Sequence, residues 1–400
     1  MTHGVESSPV AGEDLDEPGR RPVGHWRRRF EPVTAPPAAD AGALGGIRLA
    51  VKDMFAVAGE RVGAGNPTVL AQAPVEERHS APVQRLVDAG ALIAGIARTD
   101  ELAFSIAGVN AHEGAVVNPL DPERLVGGST SGPTAAVLAG EADLGLGTDT
   151  AGSIRVPASY CGLWGLRMTH GAVDVRGMWP LAPSFDAVGL VGRDPRLLAA
   201  AVAALGAAPP PRALDRLTVP RTALDLVPAA TRDAFLDGAE RLSRRRGLAL
   251  EIADGPAELE EWFRSFRAIQ GHEAWQSNHH LLAVPGAVSE EVAGRLRAGV
   301  DVDATTHRAV LARAAALLRE RLADGALLCL PSASGPAPRL DVTPDEQDQL
   351  RSGTLRLGFL ASLAGLPALS VPAAEVGGRP LGVALVGLPY DDLALLDLAG

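Results

Sequence analysis

The sequence predicts an α/β protein, from three observations. Short apolar runs of strand length (GIRLAV at 46–51, ALIAGI at 91–96, GALLCL at 325–330, GVALVG at 382–387) alternate with longer amphipathic runs of helical period. Hydrophobic residues make up 46% of 400, enough for a large core. Two glycine- and serine-dense tracts, 125–140 and 144–165, each lead into a short run of small residues that reads as a packed helix.

Taken in order, the start MTHGVESSPVAGEDLDEPG is acidic and lacks the apolar run of a secretory leader. Residues 1–30 read as a disordered N-terminal arm, with Arg27, Arg28 and Arg29 a solvated segment of it, and residues 31–400 read as one domain. The strand at 46–51 alternates loosely, with Ile47, Leu49 and Val51 on one face and Lys52 on the other. TAAVLAGEA, 134–142, reads as a tightly packed helix, and SIRVPAS, 153–159, as a turn into another. The Ala/Leu/Arg-rich stretch 195–330 reads as helices with a strand or two and offers no nameable chemistry.

Composition excludes several function classes. The formal net charge is −11 and no long basic block occurs, so nucleic acid is not an expected partner. No run reaches the roughly 18 uninterrupted apolar residues of a membrane span, and a cytoplasmic protein is expected. Cys161 and Cys329 sit in apolar surroundings, without metal-ligand spacing to any histidine, and read as buried thiols. His279 and His280 are adjacent and so do not share a helix face; no metal and no cofactor is expected. His112 and His170 have no nucleophile-elbow sequence near them.

The basic residues carry the sharpest signal. Among 37 of them, Lys52 is the single lysine. A guanidinium does not lose its proton under protein conditions, whereas a desolvated ammonium does, so a lone lysine in GIRLAVKDMFAV is a candidate general base. The tract GGSTSG is no nucleoside-triphosphate loop, because it lacks that loop's lysine, and no acidic residue completes a dinucleotide fingerprint.

Lys52 in VKDMF, then GGSTSG, then GTDTAGSIR, in that order, resemble the amidase-signature family. The resemblance runs from about residue 45 to the end. It implies a single catalytic domain of the amidase-signature fold, a mixed β-sheet sandwiched between α-helices. It implies Ser153 as nucleophile, Ser129 as proton relay and Lys52 as base, with a cis peptide at Gly128–Ser129. Backbone N–H groups of Thr150, Ala151, Gly152 and Ser153 would form the oxyanion hole, and Asp149 and Arg155 would fix the nucleophile loop. The chain departs from the usual pattern at Thr130, Ser131 and Pro133, at Ala151 where many members have glycine, at Met168 where proline is common, and at the extra polar His170.

Four segments (DELAFSIAGVNAHEGAVVNP, RVPASYCGLWGLRMTHGAV, PLAPSFDAVGLVGRD and FRAIQGHEAWQSNHH) resemble the indole-3-acetamide hydrolase branch. That branch implies a small apolar or aryl carboxamide as substrate and ammonia as product, with Phe104 and Trp179 as candidate pocket residues. The alternatives are an amidase of a dedicated ureido or carbamoyl intermediate, the catalytic subunit of a tRNA-dependent amidotransferase, and a non-catalytic scaffold like the import-receptor relatives. The expected partner is a small-molecule amide, and a homodimer is left open.

Overall fold

A computed structural model of the protein describes residues 21–31, 42–206 and 212–399. Its strands are β1 (Pro22–Val23), β2 (Trp26–Arg29), β3 (Arg48–Lys52), β4 (Leu92–Ala97), β5 (Val109–Asn110), β6 (Gly114–Val116), β7 (Leu144–Asp149), β8 (Trp164–Arg167), β9 (Ala187–Gly192), β10 (Arg216–Pro220), β11 (Ala249–Ala253), β12 (Ala326–Pro331), β13 (Ala368–Val376) and β14 (Arg379–Val386). Its helices are α1 (Pro67–Gln72), α2 (Ala81–Asp88), α3 (Ser131–Leu138), α4 (Arg155–Tyr160), α5 (Pro195–Leu205), α6 (Arg221–Asp225), α7 (Ala229–Arg246), α8 (Leu259–Asn278), α9 (Glu290–Arg297), α10 (Ala304–Arg321), α11 (Pro344–Leu363) and α12 (Asp392–Ala399).

Eleven strands form one mixed sheet in the order β11-β10-β12-β14-β13-β8-β9-β7-β3-β4-β2. The triplets β11-β10-β12 and β7-β3-β4 are parallel, and the strands between them pair antiparallel. β7, β9 and β12 are buried at every position, so helices cover both faces of the sheet. One large apolar cluster fills most of the interior. A second, of small side chains such as Ala135, Ala136, Ala158 and Cys161, packs the two glycine/serine segments against the sheet. α3 is buried at all of its positions, as a helix of small residues between sheet and loop must be. The expected mixed α/β fold is therefore present, and the stretch 195–330 does hold mostly helices, with β10, β11 and β12 among them.

The structure adds the cover of β3 and corrects one expectation. Both faces of β3 are buried. Leu49, Ala50, Val51 and Lys52 are all buried, because β3 is flanked by β4 and β7 and covered on both sides. Residues 21–30 are not a disordered arm. β2 is the edge strand of the large sheet, antiparallel to β4, and β1 pairs with β6 in a small sheet. Residues 1–20, the rest of the expected arm, lie outside the described residues. The arginines account for the difference: Arg27 pairs with buried Asp53 at 3.0 Å, Arg28 with Glu60 at 2.9 Å and Arg29 with Glu141 at 3.0 Å. Among the described residues, no helix is long and apolar enough to cross a membrane.

Asp53 is the residue after the lysine, so the Arg27 pair ties the edge strand to the end of β3. Burial pushes the Asp53 carboxyl up to about 7, against the pull of Arg27 and of the Gly63 N–H. A carboxyl whose pKa is raised by folding contributes least above that value, because the folded state must then hold the charge. Arg27→Ala removes the cation opposite this charge. We expect a loss of about 2 kcal/mol at pH 8, less than the roughly 3–5 typical of a stripped buried pair because Asp53 can take up a proton. The loss should shrink toward pH 5, and denaturant midpoints at the two pH values check it.

Candidate active site

The two parallel strands β3 and β7 end side by side, and the site is built at those two ends. β3 terminates in Lys52, which is fully buried. β7 ends in Thr148 and Asp149, and the chain then turns through Thr150, Ala151 and Gly152 to Ser153, just ahead of α4. Ser129 precedes α3 and comes after a cis peptide at Gly128–Ser129, as the resemblance implies.

These elements bring hydroxyls around one ammonium. Lys52 Nζ donates to Ser129 Oγ at 2.8 Å, to Thr148 Oγ1 at 2.8 Å and to Thr130 Oγ1 at 3.2 Å. Thr130, a departure from the usual serine, thus supplies part of the cradle. It fits because residue 147 is a glycine: a Cβ there would lie 2.3 Å from Thr130 Cγ2. Burial pulls the Lys52 ammonium down to about 7, the charges of Asp100, Asp149 and Asp186 opposing it. None of the three is a direct ion-pair partner, so the lysine is held by neutral hydroxyls and balanced by charges at a remove.

The loop that carries Ser153 is pinned from below. Asp149 accepts from Gly152 N at 2.9 Å, Ile154 N at 3.2 Å, Arg155 Nε at 3.0 Å and Arg155 Nη2 at 2.8 Å. Burial raises the Asp149 carboxyl, but Arg155 and then Arg167 outweigh it, and the group is held well below the usual carboxylate range. Asp149 and Arg155 thus hold the loop that carries Ser153. Gly152, at φ 130°, takes a conformation that side-chain-bearing residues rarely adopt. Its N–H faces Asp149, which removes it from the expected set of oxyanion donors. Among the described residues, no acceptor engages the N–H groups of Thr150, Ala151 or Ser153.

Four further residues escaped the sequence reading. Arg167, fully buried, donates from Nη1 to the carbonyls of Asp149 and of Phe185, the latter at 2.9 Å. Asp186, the acid of the SFD segment, accepts from Thr150 Oγ1 at 2.6 Å and from Leu181 N and Ala182 N at 2.9 Å each. Thr99 Oγ1 donates to the Ser129 carbonyl at 2.8 Å. Asp100 accepts from Gly108 N at 3.0 Å, and burial raises its carboxyl. Arg167, Asp186 and Asp100 lie in segments read for their resemblance and Thr99 just before one, but a lone Arg, Thr or Asp carries no local signal of what it will face.

Ser153 lines a small cavity that opens to solvent, whose wall also includes Phe104, Thr150, Ala151, Leu181 and Leu355. Leu102 and Ala103, just before Phe104, take φ of 51° and 55°, rare for residues with side chains and common where a site constrains the backbone. Phe104 shares this cavity with Ser153. Trp179 does not: it lines a separate pocket with Met178 and Leu281 and donates to Asn278 Oδ1 at 2.9 Å. His112 pairs with Glu101 at 2.7 Å and His170 contacts the Pro183 carbonyl at 2.8 Å, while His279 stacks on Trp275. Both cysteines are buried, which pushes their thiols far up.

Residues 32–212 match the Amidase family. Amidase 1 of Arabidopsis thaliana is 31% identical over 92% of this chain and 96% of its own length. Amidase 1 of Oryza sativa subsp. japonica is 29% identical over 95% of this chain and 94% of its own. The crystal structure of an amidase superposes with a TM-score of 0.79 at 32% identity, covering 90% of this chain and 84% of the other. With its fold, its sequence and its buried lysine site in agreement, this chain belongs to the amidase family, hydrolases that act on amide C–N bonds.

Proposed function

We propose that the protein hydrolyses a small primary carboxamide to a carboxylate and ammonia through Ser153, Ser129 and Lys52. The observation that carries this reading is the 2.8 Å contact between Lys52 Nζ and Ser129 Oγ in a site closed to water, with Ser153 on the cavity beside it. An amide nitrogen leaves only once protonated, so the enzyme needs a nucleophile and a base that becomes an acid.

Ser153 Oγ bonds to the carbonyl carbon and its proton passes to Ser129, whose own proton passes to neutral Lys52. The C–N bond breaks as the same path returns a proton to the nitrogen, which leaves as ammonia. Water then attacks the acyl-enzyme by the same relay and releases the acid and Ser153. A hydroxyl suits the middle position because it donates and accepts at once. The free N–H groups of Thr150, Ala151 and Ser153 take the oxyanion. The apolar wall of Phe104, Leu181 and Leu355 suits the acyl chain expected of the indole-3-acetamide hydrolase branch.

Ammonia release from a panel of primary amides tests the reading. Ser153→Ala and Lys52→Arg should each lower kcat/KM by at least about 10³-fold, since each removes a member of one relay. Lys52→Arg keeps the charge and removes only the ability to act as base, so an active K52R enzyme would refute the assignment.

The reaction starts from neutral Lys52, so kcat/KM should rise with pH through about 7. Thr148 accepts a hydrogen bond from the charged form. Thr148→Val removes that stabilisation, lowers the lysine pKa further and should move the rising limb down by about one pH unit. A limb that stays in place would point to a different base.

A further inference from the structure

The cavity beside Ser153 is not uniformly apolar. Arg267 and Gln270 enter its wall from α8, and Arg351 from α11. Elsewhere in the interior the guanidiniums have carboxylates: Arg155 and Arg167 share Asp149, and Arg27 has Asp53. The two cavity arginines do not. Among the described residues, neither forms an ion pair; Arg267 Nη1 donates to Gln270 Oε1 at 2.7 Å, and the buried Nε of Arg351 has no hydrogen-bond partner.

Their neighbours add to the imbalance. Arg295, on α9, presses on both with a third positive charge. Its own carboxylate, Glu291, is paired to it, and Asp348 lies on the exposed side of α11. Burial first, and then Arg295, pull both guanidiniums down to about 10, which leaves them charged at neutral pH. Arg267 and Arg351 are half-buried, and a half-buried charge without a partner is still disfavoured, so a pair of them on a cavity wall favours an anion in that cavity. Guanidiniums present planar N–H forks that match a carboxylate.

We propose that the substrate is a short amide whose acyl chain carries a carboxylate, of the class of dicarboxylic acid monoamides, and that Arg351 and Arg267 bind that carboxylate while Ser153 attacks the amide carbonyl. The proposal rests on the amidase reading above and replaces its wholly apolar acyl group with one that ends in a carboxylate. Gln270 holds the Arg267 fork by accepting from it, and Phe104 and Leu355 flank the methylenes between the two ends. The cavity between Ser153 and the two arginines is small, which keeps that chain short. The carboxylate also sets the register, because fixing one end of a short acyl chain fixes where its carbonyl lies against Ser153.

The test compares succinamate and malonamate with the neutral amide butyramide. Wild-type kcat/KM should favour the anionic amides by at least tenfold. Arg351→Gln and Arg267→Gln should each cut that preference by at least tenfold, mainly through KM, and Arg351→Lys should restore part of it. A preference near one, or one that both glutamine variants leave unchanged while Ser153 still hydrolyses butyramide, overturns the carboxylate site and leaves the amidase reading intact. Calorimetric binding to the Ser153→Ala protein separates the two readings when turnover is absent. Succinamate bound at least tenfold more tightly than butyramide, with that margin lost on adding Arg351→Gln, supports the site without catalysis. Equal binding of the two amides overturns it. Arg267→Gln gives an independent arm should the Arg351 variant fold poorly.

Discussion

The site depends on one constraint: an ammonium sealed from water and held by three hydroxyls in place of a carboxylate. A carboxylate in direct contact would stabilise the charged form and leave the lysine useless as a base near neutral pH. Hydroxyls orient the nitrogen without that penalty, and the acidic groups that balance the interior act from farther off. Ser129, Thr130 and Thr148 come from two separate segments that pack on β3, so the cradle exists only when β3 and β7 lie side by side with α3 closed over them. The small-residue core around α3 and α4 serves that end. Ala135, Ala136 and Ala158 let the helices approach the sheet closely enough for short side chains to meet the lysine.

The loop that carries Ser153 answers the opposite requirement. There the chain must hold a turn rigid while leaving backbone donors free. Asp149 does the first by accepting from Gly152, Ile154 and Arg155, and Arg167 locks the Asp149 carbonyl from behind. The Gly152 N–H is consumed in this, so the backbone donors left free on the loop are the ones Asp149 does not reach. Two interior charges thus divide the labour. Asp149 is fully paired and rigid, whereas Lys52 is unpaired and poised to gain or lose a proton.

Much of this was legible in the sequence, and the reasons are specific. Lys52 stood out because a chain that otherwise uses arginine kept one lysine. The serines stood out because glycine-dense blocks mark where backbone must approach something closely. Four short apolar runs indicated the sheet. The hidden part depends on contacts between distant segments. The arginines at 27–29 read as solvated because nothing local shows Asp53, Glu60 and Glu141 across from them. Trp179 read as a pocket residue, but Asn278, about a hundred positions away, claims its indole N–H. The cover on both faces of β3 was not legible either, because alternation in a short strand does not reveal it.

The same limit explains why the stretch 195–330 looked empty of chemistry. Its side chains act on a cavity built by other segments, so their spacing along the chain carries no pattern. Arg267 lies among residues quoted only for their branch resemblance, and Arg351 on a helix nearly ninety positions later. The fold places both in the wall beside Ser153 with no carboxylate to answer them. Where catalysis and recognition are assigned to different segments in this way, the catalytic blocks can be read in order from the chain. The acyl group is read only from what the folded cavity leaves unpaired.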